Sequence, residues 1–148
     1  YEIASCLVGS EMRIRDRDNA YVLMSSKSGA VAQLHSSATQ WRHKFNLEIN
    51  LEKGSIILSG ILSGSKSYGD EKLTIITAKP NEDHGQPIEQ VNKFNKDPSW
   101  DTEVKRFSEY VRENKKVTSG SIEQATYIMR LIEKIYHSDP VWKKKFFK

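Results

Sequence analysis

A single cysteine, Cys6, stands in this chain of 148 residues, so it can form neither an intramolecular disulfide framework nor a multi-cysteine metal site. One thiol fits a reducing, cytoplasmic compartment. No apolar run approaches the roughly 18 residues that a bilayer-spanning helix needs, so no membrane partner is expected. Charge of one sign is scarce as well: 23 basic residues face 19 acidic ones, for a net +4. Four of those cations are Lys143, Lys144, Lys145 and Lys148, and without them the chain is neutral. Such a body has no electrostatic footprint for nucleic acid. The four histidines, His35, His43, His84 and His137, show no metal-ligand spacing, and no metal is expected. Apolar residues make up 37%, which is low for a self-contained core but too many for a disordered chain.

What is present is a change of period. Residues 1–8 read as a strand, followed by a charged connector in which Arg13, Arg15 and Arg17 alternate with Ile14, Asp16 and Asp18. Those cations could meet an anionic substrate group or form a self-paired, solvated surface. Residues 20–25 and 30–39, joined at Lys27-Ser28-Gly29, indicate a β-hairpin. From Phe45 to Leu51, apolar and polar residues alternate strictly, the mark of a half-buried strand. Glu52-Lys53-Gly54 turns the chain into residues 55–59; a Gly/Ser-rich loop and a last strand at 72–77 follow. Residues 79–98 are polar and proline-punctuated, and predict a long surface loop.

Helical spacing then takes over. Trp100, Val104, Phe107 and Val111 form one amphipathic stripe behind Asp97-Pro98, with Trp100 expected to anchor it in the core. Ser121 and Gln124 form a capping box for a second helix whose apolar face is Ile122, Ala125, Met129, Ile132 and Tyr136, broadened by Ile128, Leu131 and Ile135. Ser138-Asp139-Pro140 ends it and could cap a short terminal helix; Trp142, Phe146 and Phe147 are expected to dock against the second helix. The pattern predicts one α+β domain over residues 1–148, a predominantly antiparallel, open-faced sheet of about six strands with two C-terminal helices packed on one face. Two helices cannot cover both sides of such a sheet, so its open face should meet solvent, a ligand or a second copy. A homodimer or higher oligomer formed through the sheet is therefore expected.

Several segments resemble, in order, the C-terminal domain of the glucose-fructose oxidoreductase/inositol dehydrogenase/MocA (Gfo/Idh/MocA) family. Asp18-Asn19-Ala20-Tyr21-Val22-Leu23-Met24 and residues 28–37 are similar to its central hairpin, and residues 45–49 with 52–56 to its next. Tyr68-Gly69-Asp70-Glu71-Lys72-Leu73 looks like the link into its following strand. Trp100, Glu103 and Phe107 fit its penultimate helix, and residues 121–139 its last. The resemblance implies a substrate-binding and oligomerisation domain of an NAD(P)-dependent oxidoreductase acting on a sugar, sugar derivative or cyclitol. Its partners would be that small molecule, a second copy, and a Rossmann domain of the same parent chain. NAD or NADP would belong to that domain: no Gly-x-Gly-x-x-Gly follows a strand here, so no cofactor site is expected in these residues. Lys79-Pro80 follows Ala78, not glutamate, and so does not match the family's Glu-Lys-Pro lysine. No catalytic residue is carried over, and the piece alone is expected to be inactive. The opening at Tyr1, inside a strand-like stretch, fits an excerpt of a longer protein.

Gln33, His35, Ser37, Thr39 and Trp41 alternate onto one face of a regular strand. With Arg42 they are the candidate substrate-binding residues: amide, imidazole and hydroxyl groups for sugar hydroxyls, an indole for a ring face, and a guanidinium. A polar stripe that faces solvent or a dimer partner is the competing reading, as is a structural role for His35 and an edge-plugging role for Trp41. A non-catalytic module for dimerisation or ligand sensing is the alternative to an enzyme fragment.

Overall fold

The computed structural model describes residues 3–9, 19–63, 65, 67–79 and 86–146; for residues 3–9, 145 and 146 it describes the backbone alone. The Arg13, Arg15 and Arg17 alternation, residues 80–85 of the expected loop with His84, and Phe147 lie outside the described residues.

The elements run β1 (Ile3–Gly9), β2 (Asn19–Ser26), β3 (Val31–Ser37), β4 (Asn46–Leu51), β5 (Gly54–Ser59), β6 (Glu71–Thr77), β7 (Ile88–Phe94), α1 (Ser99–Glu113), α2 (Ile122–Ser138) and α3 (Pro140–Phe146). The class is α+β, and every described strand pair is antiparallel. The strands form two sheets where one was expected, in the orders β1-β2-β3 and β4-β5-β6-β7. They belong to two compact units, Tyr1–Gln40 with Lys115–Lys148, and Trp41–Asn114. The helices divide accordingly: α2 and α3 belong to the first unit and α1 to the second, where one face of one sheet was expected to carry them.

In the first unit α2 packs on β1 and α3. Burial on β2 alternates: Ala20, Val22 and Met24 are covered, whereas Tyr21 and Leu23 are exposed. Val22, at 2% exposure, is the one fully buried apolar side chain among the described residues. On α2 the half-buried positions are Leu131, Ile132, Ile135 and Ser138, while Ile122 and Met129 of the expected face stay exposed.

The capping box forms as expected: Ser121 Oγ accepts from the Gln124 N–H, and Gln124 Oε1 accepts from the Ser121 N–H. The Ser121 side chain, with a backbone hydrogen bond, also holds the Glu123 carboxyl below its ordinary value of 4.5. A depressed carboxyl stabilises the fold above its unfolded pKa and loses that contribution as pH falls through the folded value. Helicity at the start of α2 is therefore expected to weaken on acidification below 4.5, and an amide-exchange series across that pH would show it. No acid-dependent rise in exchange at residues 122–126 would contradict this.

Asp139 caps α3, its Oδ1 accepting from the Val141 N–H at 2.8 Å and the Trp142 N–H at 3.2 Å. It is 3% exposed, and Trp142 stacks on Tyr136 with ring centroids 4.6 Å apart. Asp139→Ala leaves those donors without their acceptor and should cost about 1–2 kcal/mol, with Asp139→Asn closer to the parent, in a denaturant melt.

In the second unit, ladder pairing sorts the sheet into two faces. Leu47, Leu58 and Leu73 form one row; Ile49, Ile56 and Ile75 form the next row on the same side, with Leu51 and Ile88 beyond. The other side carries Glu48, Asn50, Ser55, Ser59, Lys72, Glu89 and Lys93 among Ile57, Ile76 and Val91. The inner strands β5 and β6 are half-buried along almost all their length, while the edge strands β4 and β7 are exposed throughout.

Strand β7 corrects the expected 79–98 loop. Its apolar residues, Ile88, Val91 and Phe94, are spaced by three and give no period of two, so its pairing with β6 is a tertiary choice. Helix α1 occupies the expected span, with Asp97 Oδ1 accepting from the Ser99 N–H at 2.9 Å. Its stripe is uncovered: Trp100 is 77% exposed, which overturns its expected role as a core anchor. Trp100→Ala should accordingly change the stability of the single chain by less than about 0.5 kcal/mol. A larger loss in a dilute-solution melt would mean that the indole is covered in solution.

Candidate functional site

The β2–β3 hairpin fixes which groups share a face. Its loop, residues 27–30, is closed by the Ser26 N–H donating to the Ala30 carbonyl at 2.8 Å and the Gly29 N–H to the Ser26 carbonyl at 3.0 Å. Gly29 has φ 87°, in the left-handed region that a side chain resists. The resulting register sets Gln33 opposite Leu23, His35 opposite Tyr21, and Ser37 opposite Asn19.

Four of the six expected binding residues therefore gather in one place. The His35 ring stacks on Tyr21, with centroids 4.3 Å apart and planes 9° from parallel. Asn19 Nδ2 donates to Thr39 Oγ1 at 3.1 Å, and the Thr39 N–H donates to Ser37 Oγ at 3.2 Å. Gln33, His35 and Thr39 are exposed and Ser37 is half-buried. The face thus offers an amide, an imidazole held by an aromatic ring, and two hydroxyls, a donor and acceptor set suited to a polyhydroxylated molecule.

The other two residues fall outside the unit that holds that hairpin. Trp41 and Arg42 belong to the second unit, where Trp41 is fully exposed and Arg42 lies beside Gly69. The regular alternation that linked Thr39 to Trp41 ends with β3 at Ser37.

Tyr21 and Asn19 are members of the face that the sequence reading did not single out. The signal was present in the length of the 27–30 loop, which sets the cross-strand partners of His35 and Ser37.

Among the described residues, no three His, Cys, Asp or Glu side chains come together as metal ligands. No helix there is long and apolar enough to cross a membrane. All described strand pairs are antiparallel, so these residues supply no βαβ crossover and no Gly-rich strand-to-helix turn of the kind that holds a dinucleotide. Compared with family models, curated proteins and solved structures, the chain matches none.

Proposed function

We propose that this chain is the C-terminal, substrate-facing domain of an NAD(P)-dependent oxidoreductase of the Gfo/Idh/MocA kind, acting on a sugar, sugar derivative or cyclitol. The observation that carries the reading is the exposed polar face of β2 and β3, where Gln33, His35, Ser37 and Thr39 share one side with Asn19 and Tyr21. The collinear motifs described above support it. The domain's part is to orient a substrate carbon toward a nicotinamide held elsewhere in the parent protein. A cytoplasmic location accords with the lone Cys6.

Oligomerisation is the second part of the proposal. On the apolar face of the four-stranded sheet, Leu47 and Ile49 are exposed, while Leu58, Leu73, Ile56 and Ile75 are only half-buried. A second copy would bury it. That same face favours the alternative reading, a non-catalytic dimerisation or ligand-sensing module.

Sequencing the coding region upstream of Tyr1 separates the two. A Gly-rich Rossmann turn, a Glu-Lys-Pro lysine and an Asp-x-x-x-His histidine are expected. A start codon close to Tyr1 would remove the catalytic reading, and tight NAD(H) binding by these residues alone would overturn the division of roles.

A further inference from the structure

The second unit carries a polar cluster of its own. Residues 41–45 lead into β4 and residues 60–70 join β5 to β6, so antiparallel pairing brings both segments to one end of the four-stranded sheet. The Gly60 N–H donates to the Phe45 carbonyl at 3.0 Å and ties them together. Three serine hydroxyls run in file there. Ser63 Oγ lies 3.3 Å from Ser65 Oγ, Ser65 Oγ lies 2.8 Å from Ser67 Oγ, and Ser67 Oγ lies 3.0 Å from His43 Nδ1. The His43 ring is steadied by Tyr68, at a centroid distance of 5.0 Å.

Arg42 lies at the same turn. Its Nη2 is 3.3 Å from the place that a Cβ on Gly69 would take, so the bare glycine leaves room for the guanidinium. Among the described residues Arg42 forms no hydrogen bond or ion pair, with neighbouring Asp70 or with any other group. Glu71 is already engaged, accepting from the Leu62 N–H at 2.9 Å.

We propose that Arg42, His43 and the serine file form a binding site for a tetrahedral oxyanion, such as the phosphate group of a small phosphomonoester. A guanidinium offers a planar fork of donors to two oxygens of such a group. When His43 carries its proton on Nδ1, the ring donates to Ser67 and frees the Ser67 proton for a third oxygen. Donors from two loops suit a tetrahedral anion better than a flat carboxylate. The site rests on this geometry and is independent of the oxidoreductase proposal.

The test is an NMR titration of the whole chain with inorganic phosphate, and separately with acetate at matched ionic strength, following the Ser67 amide and the His43 ring. Phosphate is expected to give saturable shifts that sulfate competes away and acetate does not reproduce. Arg42→Met should weaken phosphate binding by about tenfold or more, the loss of one charge-assisted pair. Asp70→Asn should tighten it, and Arg106→Met, on α1, should leave it unchanged. Should Arg42→Met disturb the free loop, Arg42→Lys keeps the charge, removes the fork, and should still weaken binding. Shifts that never saturate, equal responses to phosphate and acetate, or an Arg42 variant that titrates like the parent would each overturn the proposal.

Discussion

Gly60→Ala is expected to destabilise the four-stranded unit by roughly 2–5 kcal/mol, the sum of a left-handed backbone cost and an overpacking cost. Gly60 has φ 73°, and a Cβ built on it would run into the Asp70 carbonyl oxygen and approach the Asp70 carbonyl carbon at 2.7 Å. Neither obstacle is the free end of a side chain. The Gly60 N–H is meanwhile committed to Phe45, so the residue cannot turn away without losing that bond. Gly69 provides the comparison within the same unit. It also has positive φ, 80°, but a Cβ there would meet only the Arg42 guanidinium, which can move. Gly69→Ala should therefore cost about 1–2 kcal/mol, the conformational term alone. Chemical denaturation of the two variants should rank them in that order, and equal midpoints would show that the Gly60–Asp70 approach does not constrain the turn.

Ile49→Lys is expected to weaken self-association by about a thousandfold. Ile49 sits on the apolar face beside Ile56 but on an exposed edge strand, at 41% exposure, so the monomer should tolerate the lysine. A lysine there loses roughly 2 kcal/mol of interface burial in each copy, and a two-fold interface counts the change twice. Glu48→Gln, on the opposite face, should leave association unchanged. Sedimentation equilibrium decides the matter. A monomeric parent chain at high concentration would overturn sheet-mediated association. An Ile49→Lys dimer of undiminished affinity would place the interface on another surface.

Legibility followed the strength of the local signal. The strict alternation of β4, the turn at Glu52-Lys53, the hairpin at Gly29 and the capping box of α2 could all be read in the chain because each depends on near neighbours. Strand β7 could not, since its ladder to β6 crosses a proline-bearing connection and its own pattern favours no face. The polar half of the candidate site was visible as alternation from Gln33 to Thr39. Its limit was invisible, because alternation carries no mark of where a strand stops, and β3 stops before Trp41. The pairing of Tyr21 with His35 needed the register as well as the residues.

By itself the sequence determined the α+β class, the placing of most strands and of α1 and α2, and the amphipathic character of α1, while it offered α3 only as an option after Ser138-Asp139-Pro140. Periodicity and capping act over a few residues and need no knowledge of distant partners. Only the tertiary structure decided that the strands divide into two sheets, that β7 joins the second, and that the Trp100 stripe and Leu47 on the sheet's edge stay exposed. Those outcomes depend on which surfaces meet. An apolar stripe records that a surface should be buried and carries no record of what buries it.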